Sequence, residues 1–176
     1  LGTTPVAANL DRPGSLKRLS GLANHVIYLA PPADDPSTEF YTDARLNRFL
    51  AALHGGASLP RRLVLIGTSG VYGDCLGALV HESRPLQPRT ARGQRRAAAE
   101  AILRRWTRTR IGGGHTTDLS NPARKVTNAG SILRVPGIYA GNRLPVERLR
   151  AGTPALSPED DTWTNHIHAN DLARIS

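Results

Sequence analysis

The chain has 176 residues, 39% of them hydrophobic and 21% charged, with a formal net charge of +9 and a single cysteine. That length supports one buried core of ordinary composition, and a lone cysteine excludes both a disulfide framework and a CxxC metal or redox pair. The positive charge does not mark a nucleic-acid surface, because the basic residues are nearly all Arg, with Lys only at 17 and 125, and lie scattered along the chain. The densest basic cluster, Arg104 to Arg110, falls at a helix end, where cations complement the dipole.

No apolar run reaches membrane-spanning length, and the segment Leu1-Gly2-Thr3-Thr4-Pro5 lacks a signal-peptide pattern. Neither nucleic acid nor a membrane is therefore expected as a partner, and a cytoplasmic location is the default.

In chain order, Pro5-Val6-Ala7-Ala8-Asn9 reads as a strand entering a turn at Asp11-Arg12-Pro13-Gly14. Ser15 suits a helix N-cap, with Leu16, Leu19 and Leu22 as the stripe of a short helix. A second strand spans about 25–29 and ends in Ala30-Pro31-Pro32. A helix over about 38–54 follows, with Phe40, Leu46, Phe49, Leu50 and Leu53 as its apolar face, stopped by Gly55-Gly56. Leu63-Val64-Leu65-Ile66 is a four-residue apolar run of the kind a strand buried on both faces needs, within a strand of about 62–67.

From Gly73 to Arg92 the chain is loop-like, with Pro85 and Pro88 blocking a helix. A helix of about 93–106 carries Ala98, Ile102 and Leu103 on one face. Residues 107–130 show no periodicity and are expected to form an irregular, mobile loop; the glycines at 112–114 lack GxGxxG spacing. A strand at about 131–135 resumes the sheet, 143–149 suits a short helix, 151–162 is loop, and Asn165-His168 a short strand before a helix opening at Asp171. Alternating strands and helices at this spacing imply parallel βαβ units.

The organising strand ends in Gly67-Thr68-Ser69-Gly70-Val71-Tyr72-Gly73. In open α/β sheets ligands sit beyond the carboxyl ends of strands, so Thr68 and Ser69 stand where chemistry is done, or else simply satisfy backbone groups there. Thr68 to Gly73 resembles the Ser/Thr-x-x-Val-Tyr-Gly segment of the NAD-dependent epimerase/dehydratase family, the extended branch of the short-chain dehydrogenases/reductases. Val26-Ala30, Ile132-Tyr139 and Ile167-Ala173 match further segments of that family in the same order.

The resemblance implies an α/β, Rossmann-type doubly wound parallel sheet. It also implies that the chain is part of one, without the N-terminal glycine-rich βα unit and the C-terminal portion. Residues 1–176 would then form a partial NAD(P)-binding domain, with 143–176 leading toward the substrate side. NAD or NADP is the implied cofactor, and the residue that separates the two is absent.

By the same resemblance, cofactor contacts fall to Asn9 and Leu10 at the adenine, to Leu29, Ala30 and Pro31 under the ribose, and to Gly67. Pro136, Gly137, Ile138 and Tyr139 would lie beside the nicotinamide. Asn9 reads equally well as a turn former.

The family's Tyr-x-x-x-Lys pair is missing. Counting back from Glu100 places Arg96 at the Lys position and Arg92 at the Tyr position. Arg96 can keep a cationic contact to ribose hydroxyls, whereas Arg92 can bind charge but cannot transfer a proton near neutrality. The candidate catalytic residues are thus Thr68, Arg92 and Arg96. Tyr72, the nearest phenol, belongs to the turn and is expected to pack there.

His166 and His168 share one strand face, but no third ligand has suitable spacing, so no metal is expected. The implied function is an NAD(P)-dependent oxidoreductase or epimerase of altered mechanism, acting on a nucleotide-sugar or another small carbonyl or hydroxyl substrate. The alternative is a non-catalytic dinucleotide-binding sensor or interaction protein. A homodimer is allowed for.

Overall fold

The structure is a computed structural model that describes residues 2–33, 42–56, 58–112, 129–152, 157, 159, 161 and 163–176. Three parallel strands form its main sheet: β1 (His25–Tyr28), β2 (Arg62–Ile66) and β3 (Ala129–Leu133), in the order β1-β2-β3. The ladder runs from His25↔Arg62 to Tyr28↔Leu65 on one side of β2 and from Arg62↔Ala129 to Ile66↔Leu133 on the other. Two short parallel strands, β4 (Gly137–Tyr139) and β5 (His166–His168), pair separately.

β2 is central because both of its faces are apolar. Leu63 and Leu65 enter a core built with Tyr28, with Leu46, Phe49, Leu50 and Leu53 of helix α1 (Ala44–His54), and with Ala99, Leu103 and Trp106 of helix α2 (Ala91–Gly112). Val64 and Ile66 point the other way, toward Val135 and Leu172, the latter on helix α4 (Ala169–Ile175). The crossover helices α1 and α2 share one layer, as successive crossovers of one hand running the same way along a sheet require. A short helix, α3 (Val146–Arg150), stands apart with no buried residue.

Several expectations are corrected. Residues 5–9 form no strand: they pair with no strand among the described residues and their side chains are exposed, so the weakly apolar Val6-Ala7-Ala8 has neither ladder nor core there. Pro13–Leu19 is a 3₁₀ helix beginning before Ser15, whose hydroxyl bonds the Asn9 and Arg12 carbonyls instead of capping; Leu16 is buried but Leu22 is exposed. α1 starts at Ala44 because Asp43 caps it, and residues 34–41, including Phe40, lie outside the described residues. β3 lies two residues earlier than expected, and on α2 it is Ala99 rather than Ala98 that faces the core. α2 continues to Gly112 and β3 begins at Ala129, so of the irregular segment expected over 107–130 only 113–128 is left, outside the described residues.

Asp43 supplies a stability test. One carboxylate oxygen accepts the Leu46 amide at 3.0 Å, while the other, like the Tyr28 hydroxyl, is buried with no hydrogen-bond partner among the described residues. Burial holds the Asp43 carboxyl above its ordinary range. A raised folded value means that the protonated form favours folding, and this contribution is lost as pH rises through that value. Asp43→Asn keeps the cap without the charge, so thermal unfolding should show the variant equal to wild type in acid and more stable near neutrality. Asp43→Ala should lose about 1 kcal/mol through the missing cap.

Candidate functional site

The carboxyl ends of β2 and β3 lie side by side, and the two chains stay paired beyond the ladder. The Gly67 amide donates to the Leu133 carbonyl at 2.8 Å, and the Ser69 amide to the Val135 carbonyl at 3.0 Å. Past Gly67 the chain enters a 3₁₀ turn, Ser69–Tyr72, capped by Thr68, whose Oγ1 accepts the Gly70 amide at 3.2 Å. Gly73 closes the turn at φ +73°, where a Cβ would stand 2.3 Å from the Gln87 carbonyl oxygen, so only glycine fits. The next helix is started by Thr90, whose hydroxyl accepts the Gly93 amide at 3.1 Å. A Cβ on Gly93 would come within 3.3 Å of the Gly70 carbonyl oxygen, which sets how closely the first turn of α2 rests on the end of β2.

These segments border an open cavity of about 510 Å³. Its walls are Leu29 from beyond β1, Ile66 to Gly70 from β2 onward, Thr90, Arg92, Gly93 and Arg96 at the start of α2, Val135 to Ile138 beyond β3, and Arg143. Arg143 ends the 3₁₀ turn Gly141–Arg143. Of the expected site residues, Leu29, Gly67, Thr68, Arg92, Arg96, Pro136, Gly137 and Ile138 therefore come together.

The others lie outside this lining. The Asn9 side-chain carbonyl accepts the Asp11 amide at 2.8 Å, its turn-forming role. The Leu10 and Pro31 carbonyls accept from Arg48 and Arg45, each at 3.4 Å. Tyr139 meets the His168 ring edge-on at 5.2 Å. Ala30 packs in part against the main core.

Arg96 is half-buried and donates to the Ile66 carbonyl at 3.3 Å, which pins α2 to the end of β2. Burial first, and then the neighbouring Arg92 charge, hold its guanidinium below its ordinary range. Tyr72 is committed elsewhere: its oxygen accepts from Arg134 at 2.6 Å, and the guanidinium stacks over its ring at 4.8 Å. Among the described residues lining the cavity there is no His, Cys, Tyr, Lys or carboxylate, so its chemistry is that of hydroxyls, backbone groups and guanidinium ions.

Among the described residues no group of three or more His, Cys, Asp or Glu is placed to hold a metal, and no helix is long and apolar enough to cross a membrane. His168 uses Nδ1 to accept the Asn170 amide at 3.2 Å.

Sequence reasoning missed Thr90, Gly93 and Arg143. A Thr ahead of a helical run is a legible capping signal. Nothing in the pattern around Arg143 placed it at the cavity.

The class this geometry defines is a parallel α/β fold with an open cavity at its strand carboxyl ends, where such folds bind ligands. No family model matches the sequence, and no curated protein matches it. Solved structures do match in fold. One, from Methylobacillus flagellatus and assigned as an NAD-dependent epimerase/dehydratase, shares 24% identity and a TM-score of 0.66 over 98% of this chain and 55% of its own. The DesIV double mutant of Streptomyces venezuelae, a dTDP-glucose 4,6-dehydratase with NAD and DAU bound, shares 18% identity and a TM-score of 0.69 over 95% and 51%. RMD of Pseudomonas aeruginosa, complexed with NADPH, shares 18% identity and a TM-score of 0.70 over 97% and 60%.

At these identities the likeness establishes the fold. The first structure carries the family description that the motifs also resemble, and this chain spans about half the length of each of the first two, 55% and 51%.

Proposed function

We propose that the protein binds NAD or NADP and acts as an oxidoreductase or epimerase on a nucleotide-sugar or another small carbonyl or hydroxyl compound. The observation that carries this reading is the convergence of Gly67, Thr68, Arg92, Arg96 and Pro136–Ile138 on one cavity at the carboxyl ends of adjacent parallel strands. A volume of about 510 Å³ lies within the range of small-molecule sites, about 300–1,000 Å³. Its apolar residues, Leu29, Val135 and Ile138, suit the face of a nicotinamide ring, and the resemblance gives Arg96 to the ribose hydroxyls. The family resemblance adds Ala30, Pro31, Leu10 and Asn9 on the adenine side and Tyr139 beside the ring. The dinucleotide supplies hydride chemistry when bound.

The protein's own groups divide the remaining work. Thr68 accepts the Gly70 amide and so keeps its own O–H to donate, which suits it to orient a substrate oxygen. Arg92 binds and stabilises negative charge; a guanidinium stays protonated at working pH and shuttles no proton.

A second reading, a dinucleotide sensor without catalysis, is favoured by one observation: no described residue of the cavity titrates near neutrality. Calorimetric titration of the natural full-length protein tests what both readings share. Saturable binding of NAD or NADP is expected, and binding of neither would overturn them together.

A further inference from the structure

The cavity holds an unbalanced charge. Arg92 and Arg96 lie one helical turn apart on α2, Arg143 reaches the same space from its 3₁₀ turn, and no described residue of the lining is a carboxylate. Some arginines elsewhere are matched with acids: Arg45 and Arg48 with Asp11, Arg104 and Arg134 with Glu100, Arg174 with Asp171. Arg92 and Arg143 are exposed and Arg96 is half-buried, so this open cleft gathers positive charge with no described carboxylate in its lining. Burial holds the Arg96 guanidinium below its ordinary range, and the Arg92 charge adds to this while the Asp43 carboxylate opposes it.

The same space adjoins the start of α2, a helix of 22 residues. The early amides of a helix lack intrahelical partners and carry partial positive charge. Thr90 takes the Gly93 amide. The hydroxyls of Thr68, Ser69 and Thr90 complete the polar wall.

We propose that the cavity is a phosphoryl site: the substrate carries a phosphate group close to its reacting carbon, clamped by Arg92 and Arg143, with Arg96 left to the ribose. A phosphoryl dianion offers three acceptor oxygens, enough to meet both guanidinium forks together, and it neutralises the charge the fold has concentrated there. The inference deepens the preceding reading and rests on it for the word substrate. It assigns Arg143 a role in recognition and accounts for a cation standing where the resembled family has its phenol. A dinucleotide's own phosphates offer the same chemistry, so the test separates the two sources.

The experiment titrates inorganic phosphate into the natural full-length protein at constant ionic strength, with NAD and NADP titrated in parallel. Saturable phosphate binding is expected, weakened about tenfold to a hundredfold by Arg92→Gln and by Arg143→Gln, as for loss of a charged hydrogen bond. Arg150→Gln, an exposed arginine paired with Glu147 off the cavity, should bind as wild type does. No saturable phosphate binding, or binding indifferent to Arg92→Gln and Arg143→Gln, would overturn the proposal even if a dinucleotide binds.

Phosphate binding with neither dinucleotide bound would keep the phosphoryl site and overturn the reading of the preceding section. Phosphate that competes with dinucleotide would assign the arginines to the cofactor, and the substrate proposal would fall.

Discussion

Replacing Glu100 with alanine should cost about 3–5 kcal/mol, the loss expected when one member of a buried ion pair is removed and its partner is left charged. The Glu100 carboxylate is 1% exposed and takes both arms of Arg134, at 2.9 and 2.8 Å, with Arg104 at 3.3 Å. The pair does more than join α2 to β3. Arg134 also donates to the Tyr72 oxygen and, at 2.8 Å, to the Glu82 carbonyl, so one guanidinium holds the turn after β2 and the loop beyond it. Its hydrogen bond to Glu100 keeps that guanidinium above its ordinary range.

Glu100→Gln should recover only part of the loss, since the amide keeps the shape and drops the charge. Glu100→Leu combined with Arg134→Met should be less damaging than either change alone, because it leaves no orphaned ion. Denaturant unfolding of these five variants reads this directly. A loss under about 1 kcal/mol for Glu100→Ala would mean that the pair behaves as a surface bridge.

That network also shows where sequence reading stops. Leu63 to Ile66 is legible because each successive residue enters a different apolar layer, which leaves a continuous hydrophobic run instead of an alternation. Leu46, Phe49, Leu50 and Leu53 are legible because their helical spacing leaves one face to bury. On α2 the signal is weak: Ala and Arg make up more than half of the helix, and its phase is set by Trp106, Leu103 and the buried Glu100. A lone Glu in such a helix reads as solvated, and its partner Arg134 stands 34 residues away, so no local pattern could reveal the pair.

Val6 to Asn9 misled for the opposite reason. The run has strand-like composition, but a strand is defined by a neighbour, and here it has none. The candidate site was legible where topology dictates position, at the residues after a strand. Gly67 and Thr68 are such residues, whereas Arg92, Arg96 and Pro136 to Ile138 were reached only through the family resemblance. Arg143 was not, because it reaches the cavity from a 3₁₀ turn that no periodicity announces.

Thr68→Ala should lower turnover by about 10²–10³-fold if the protein is the oxidoreductase or epimerase proposed, the range for deleting one donor aimed at a reacting oxygen. Thr68→Ser should keep most activity, since it preserves both the donor and the acceptor for the Gly70 amide. The same contact makes Ser the necessary control: Ala also removes the cap of the Ser69–Tyr72 turn, and a merely structural role would show as lost stability without a specific loss of turnover.

Arg92→Tyr restores the residue of the resembled family and should lower activity, because it removes an anion contact and no Lys stands at position 96 to support the phenol. The Arg92→Tyr, Arg96→Lys double variant separates the two readings of the cavity. An enzyme of altered mechanism should be impaired by it, whereas a protein that kept the fold and lost catalysis should gain turnover. The measurement is nicotinamide absorbance change with nucleotide-sugars and phosphorylated hydroxyl compounds, for wild type, both Thr68 variants, Arg92→Tyr and the double variant. Wild-type turnover indifferent to Thr68→Ala would remove Thr68 from the mechanism. Turnover absent from wild type and present in the double variant would decide for the sensor.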